Sequence, residues 1–166
     1  VAFVFASSTF IQPLLTISGL KVIYFGIVYA LMRAVMGIGG MITYKLERYF
    51  SLEKLLFIGA AGIAISLLGF SFGAGVVIIL AVLLLHFSYG LNRIVLEDEI
   101  NKNIKSDNRT TILSFSHLSQ ELFNAVLVLV LGITADFAGV QGMFNYGLGI
   151  FIVCIAAALI FMRRNS

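Results

Sequence analysis

Apolar positions run along this chain in long blocks separated by short polar stretches, and the blocks predict the elements. Six segments follow: Val1 to about Leu15, Lys21 to Tyr44, Leu52 to Phe72, Ala74 to Ile94, Thr111 to Ala135 and Met143 to Met162. The last five each reach the ~20 residues that a helix needs to cross a bilayer core. The first is shorter. Twelve residues precede Pro13, roughly 18 Å of helix. No basic start precedes the run, as it would in a signal peptide, so it reads as a helix truncated part-way. Between the third and fourth segments "SFGAG" predicts a tight uncharged turn. Between the fourth and fifth, about 95–110, "LEDEINKNIKSDNR" alternates apolar and charged residues. It reads either as a short amphipathic helix at the membrane surface or as a solvated linker.

Composition sharpens the class. Only 11% of the residues are charged and 60% are hydrophobic, against roughly 25% charged in a soluble domain. The expected fold class is therefore an all-α membrane protein of six transmembrane helices, the first truncated. The net charge is +3, with no basic stripe of the kind that binds nucleic acid. Cys154 is the single cysteine, which excludes a disulfide framework and a cysteine metal site.

The placement of charge predicts orientation. With alternating sides, one face receives Lys45, Arg48, Lys54, Arg93, Lys102, Lys105, Arg109, Arg163 and Arg164, and the other receives Lys21 alone. The basic face is then cytoplasmic, with both chain ends on that side. The expected location is a bacterial inner membrane or a plasma membrane.

The last three segments echo the first three. "GGMITYKLERYF" closes the second segment and "LGITADFAG" closes the fifth. The two units, about 1–72 and 74–163, would be inverted repeats, a construction rule of secondary transporters.

A more specific likeness lies in the second unit. A cytoplasmic loop ends in Arg109, Thr110 and Thr111. An apolar stretch with Ser114 follows, closed by Gly132, Ala135, Asp136 and Gly139. This resembles the tenth and eleventh helices of the major facilitator superfamily. "FIQPLLTISGLKVIYFGIVYAL" resembles the end of the seventh helix and the start of the eighth. "GGMITYKLER" is similar to the family's loop motif, matched at Gly40, Lys45 and Arg48, with Tyr44 where the family has an acidic residue. The resemblance covers essentially the whole chain. It implies the C-terminal half of a twelve-helix transporter, working by alternating access on a small-molecule substrate. Its partners would be the lipid bilayer and an N-terminal half of the same transporter, with no cofactor. The rival reading is a stand-alone six-helix membrane scaffold or dimerising interaction protein.

The candidate chemistry lies in polar residues inside apolar segments. Thr110, Ser114, His117, Glu121 and Asn124 are spaced by four, three, four and three, which puts them on one helix face with Gln120 beside it. A charge at the bilayer centre costs about 2.5–3.5 kcal/mol, so this face is expected to meet water or another helix. Glu121 sits near mid-depth, where burial raises and a nearby cation lowers a carboxyl pKa. It is the candidate proton carrier, with His117 one turn away. Ser114, Gln120 and Asn124 fit better as interhelical hydrogen-bonding groups. In the second segment Gly26, Ala30, Arg33, Gly37 and Gly40 form one stripe, and Arg33 is its mid-span cation. Its anion would be Glu121, a substrate group or a residue of the other half. His86, with Tyr89 and Gly90, is a further cavity candidate, though one histidine on a packed helix is more often structural.

Enzyme readings find no support. "HLSQE" lacks the second histidine of the zinc motif, and no phosphate-binding glycine loop is present. A metal site from His86, His117 and Glu121 has no diagnostic spacing.

Overall fold

The structure is a computed structural model that describes residues 2–103 and 109–165. The described chain consists of helices and short connections and contains no strand. In order the helices are α1 (Ala2–Thr9), α2 (Ile11–Ile17), α3 (Phe25–Leu46), α4 (Leu52–Phe72), α5 (Val76–Asn103) and α6 (Arg109–Asn165). One 3₁₀ turn, Val22–Tyr24, leads into α3.

The first apolar segment is two short helices, and Pro13 supplies the reason. Its nitrogen has no proton for the Thr9 carbonyl, and its ring clashes there. The chain breaks at Phe10, whose amide donates instead to the Ser7 carbonyl at 3.1 Å.

Four stretches are long and apolar enough to cross a membrane: Val22–Leu46, Leu52–Phe72, Val76–Lys102 and Thr110–Ala157. The last, at 48 residues, is not one rod. Gly139 adopts φ 71° and ψ 169°, outside the helical region. Across it, Leu131 lies against Gly147, although sixteen residues of straight helix would separate them by about 24 Å. The two arms, 109–138 and 140–165, therefore double back as a hairpin, each long enough to cross a bilayer. The break thus falls between the predicted fifth and sixth segments, at this glycine.

Residues 95–103 differ from the expected loop. They continue α5 without a break, so the helical alternative holds there as an extension rather than a separate surface helix. Side-chain pairs one turn apart support it: Arg93 with Glu97 at 2.7 Å, and Asp98 with Lys102. The rest of the predicted loop, 104–108 with Lys105, lies outside the described residues.

Helix α5 is the hub, packing on α3 along one side and on α4 along the other. Small residues make both contacts close. Gly39 of α3 sits on the Phe87 carbonyl and Gly90 of α5 on the Met36 carbonyl, backbone against backbone. On α4, Gly59 faces the Asn92 amide and Gly62 the Ser88 hydroxyl. Such contacts carry helix association in lipid, where apolar burial supplies little. The α4–α5 turn at Gly73–Gly75 is tight, as "SFGAG" predicts, with Gly75 at φ 53°.

The second arm of α6 packs on α1 and α4. Phe144 meets Phe70 at 4.9 Å between ring centroids, and Phe151 meets Phe3 at 5.2 Å. The Gln141 side-chain amide donates to the Gly73 carbonyl at 2.7 Å, satisfying a group that the end of α4 leaves open. Outside this core, side chains such as Ile23, Phe57, Phe72 and Phe137 are exposed. So broad an apolar exterior suits lipid rather than water.

Candidate functional site

The described residues line an open cleft of about 290 Å³ between α1, α3 and α5, in which Arg33 is exposed. Tyr29, Met32, Arg33 and Met36 come from α3. Their spacing of three, one and three is one helix face. His86 and Tyr89, one turn apart on α5, form the opposite wall. The third wall is α1, with Phe5, Ser8 and Thr9. Arg33 lies eleven residues after Val22 and thirteen before Leu46, so the cleft sits at mid-span.

Each polar group in the cleft has a distinct state. The Ser8 hydroxyl donates to its own helix, to the Val4 carbonyl at 2.7 Å. His86 is buried, and its Nδ1 lies 2.9 Å from the Val82 carbonyl. A carbonyl only accepts, so Nδ1 carries the proton and Nε2 is left for other partners. The Tyr89 ring packs edge-on against Phe5 at 5.5 Å. Arg33 and Tyr29 make no hydrogen bond or ion pair among the described residues.

The structure thus joins two residues that the sequence singles out separately, Arg33 and His86, and adds Tyr29, Ser8 and Thr9. Tyr29 was findable, being four residues before Arg33 on the same face. Ser8 and Thr9 carried no such signal, because the first segment is too short to show a polar stripe.

Glu121, His117, Gln120 and Asn124 lie elsewhere, on the first arm of α6. The single polar face expected there divides. Leu113, Ser116, Gln120, Asn124, Leu127 and Leu131 are the covered positions, while Thr110, Ser114, His117 and Glu121 are exposed. Gln120 donates to the Ser116 hydroxyl at 3.2 Å. The Asn124 Oδ1 is buried with no partner among the described residues. His117 and Glu121 make no hydrogen bond or ion pair among the described residues, and Arg33 is not paired with Glu121.

The glycine stripe on α3 also divides. Gly40 packs against Ile94 and Gly90 of α5, whereas Gly26 and Gly37 have nothing within 4 Å of an added Cβ. Lys45 and Arg48 are exposed at the far end of α3, and Asp136 is exposed just before the Gly139 bend. Gly132 has open space around it, and Arg109 begins α6. No three His, Cys, Asp or Glu side chains come together among the described residues to hold a metal ion.

Compared with known families, curated proteins and solved structures, the chain matches none.

Proposed function

We propose that the chain is the C-terminal half of a secondary transporter of the major facilitator kind, moving a small molecule by alternating access. The observation that carries this reading is the outward placement of His117 and Glu121 on a helix apolar enough to cross a membrane. A carboxylate and an imidazole at that depth are too costly to leave in lipid. They need a water-filled cavity or a partner surface, and an N-terminal half packed on this face supplies both. The open surface at Gly26 and Gly37 of α3 suits the same partner, since small residues let helices approach closely.

The packing order lends support. α3 and α4 lie on α5, and α1 lies on α6. The later helices of one unit thus rest on the first helix of the other, as two inverted repeats would arrange them. The basic ends of α3 and α5 fall together, in line with a cytoplasmic side.

Glu121 is the proposed proton carrier, with His117 one turn away as its relay partner. The test is transport by the full-length protein in proteoliposomes across a pH series. Glu121→Gln holds the site in its neutral form and is expected to abolish uphill, proton-driven uptake while leaving substrate exchange intact. An unchanged pH profile would remove Glu121 from coupling. A wild-type protein that transports no small molecule, yet forms stable dimers, would favour the scaffold reading instead.

A further inference from the structure

We infer that the mid-span cleft between α1, α3 and α5 binds a small organic anion through Arg33, a free carboxylate or phosphate carried on an apolar body. That this anion is also the cargo rests on the transporter reading above; its binding does not.

Charge comes first. Arg33 lines the cleft, and none of the ten lining residues is Asp or Glu. Arg33 makes no ion pair among the described residues, so the cleft cation has no counter-ion among them. An arginine at this depth is stable only with an anion or water against it, and its planar fork of donors matches carboxylate and phosphate. Depth decides the source. Lipid headgroups lie about 15 Å away, at the edge of a ~30 Å core, so between a headgroup and a diffusible anion it is the diffusible one that reaches Arg33 at mid-span.

The other walls describe the rest of the ligand. The Tyr29 hydroxyl, four residues before Arg33, has no partner among the described residues and is a second donor for the same anionic group. Ser8 is already spent on its own backbone. The imidazole of His86, with Nδ1 committed to Val82, offers Nε2 as an acceptor for a hydroxyl or amide of the ligand. Phe5, Met32, Met36 and the Tyr89 ring provide an apolar wall. A volume of about 290 Å³ is at the small end for ligand sites and suits a body the size of one aromatic ring or a short acyl chain.

Equilibrium dialysis of the full chain in neutral maltoside micelles, with benzoate, octanoate and phenyl phosphate as probes, tests this. Benzamide and benzylamine serve as the neutral and cationic counterparts of benzoate. At least one anion is expected to bind saturably, with its neutral counterpart at least about tenfold weaker. Arg33→Gln should lose that discrimination and Arg33→Lys should keep part of it. Equal binding of benzoate and benzamide, or no saturable binding of any anion, overturns the assignment without reliance on a variant. Anion binding with no transport in proteoliposomes would uphold the site and reject the transporter.

Discussion

Gly90→Leu is expected to separate α3 from α5 and to unfold the helical unit well below the wild-type transition. A Cβ at Gly90 would run into the Met36 carbonyl oxygen and stand 2.9 Å from its carbon, and the neighbouring Gly39 is seated just as closely on the Phe87 carbonyl. Both obstacles are backbone, so no rotamer change relieves them. Retreat of α5 is opposed on its other side, where the Asn92 and Ser88 side chains already fill the space at Gly59 and Gly62 of α4. Overpacking typically costs 1–3 kcal/mol; with both faces blocked, the cost here is expected at about 3 kcal/mol or more. Thermal unfolding in detergent, followed by far-UV circular dichroism, reads it. Gly37→Leu is the control: the same helix propensity is gained, but nothing lies within 4 Å. If the two variants melt together, close approach of these helices is not what stabilises the unit.

Gly139→Val is expected to open the α6 hairpin. At φ 71° and ψ 169° the backbone is in a region open essentially to glycine alone, and other residues pay about 1–3 kcal/mol there. A β-branched side chain is the least tolerant, and a straight helix through residue 139 relieves the strain. The arm 140–165 would then leave α1 and α4, taking the Phe70–Phe144 contact with it. Cysteines at Leu131 and Gly147 in a Cys154→Ser background, joined by a short bismaleimide, report the geometry. The wild-type bend should cross-link and Gly139→Val should not. Efficient cross-linking in both would show that packing, not this glycine, turns the chain.

Most of the helix pattern was legible in the chain itself. The apolar blocks located every long helix, because a membrane helix must satisfy its own backbone and therefore advertises its full length as hydrophobicity. Two boundaries escaped. Residues 95–103 read as loop because hydrophobicity stops at the membrane surface, whereas backbone hydrogen bonding continues through the charged turn of Arg93, Glu97, Asp98 and Lys102. The first segment read as one helix, but Pro13 divides its core-facing residues between α1 and α2.

The site was less legible. Periodicity showed that Thr110, Ser114, His117, Glu121 and Asn124 share a face, yet it does not say how neighbours divide that face. Packing turned Asn124 and Gln120 inward and left His117 and Glu121 exposed. In the same way, sequence named Arg33 and His86 but offered Glu121 as the arginine's possible partner. Those two residues lie 53 positions apart on helices whose adjacency is set by contacts of other residues, above all Gly39 with Phe87 and Gly90 with Met36. Sequence alone determined that this is a chain of apolar helices carrying a few costly polar groups at depth, because burial in lipid constrains each helix individually. Which polar groups meet was decided only in the tertiary structure, because the glycine contacts of α3, α4 and α5 choose the neighbours, and it is neighbours that make a cleft.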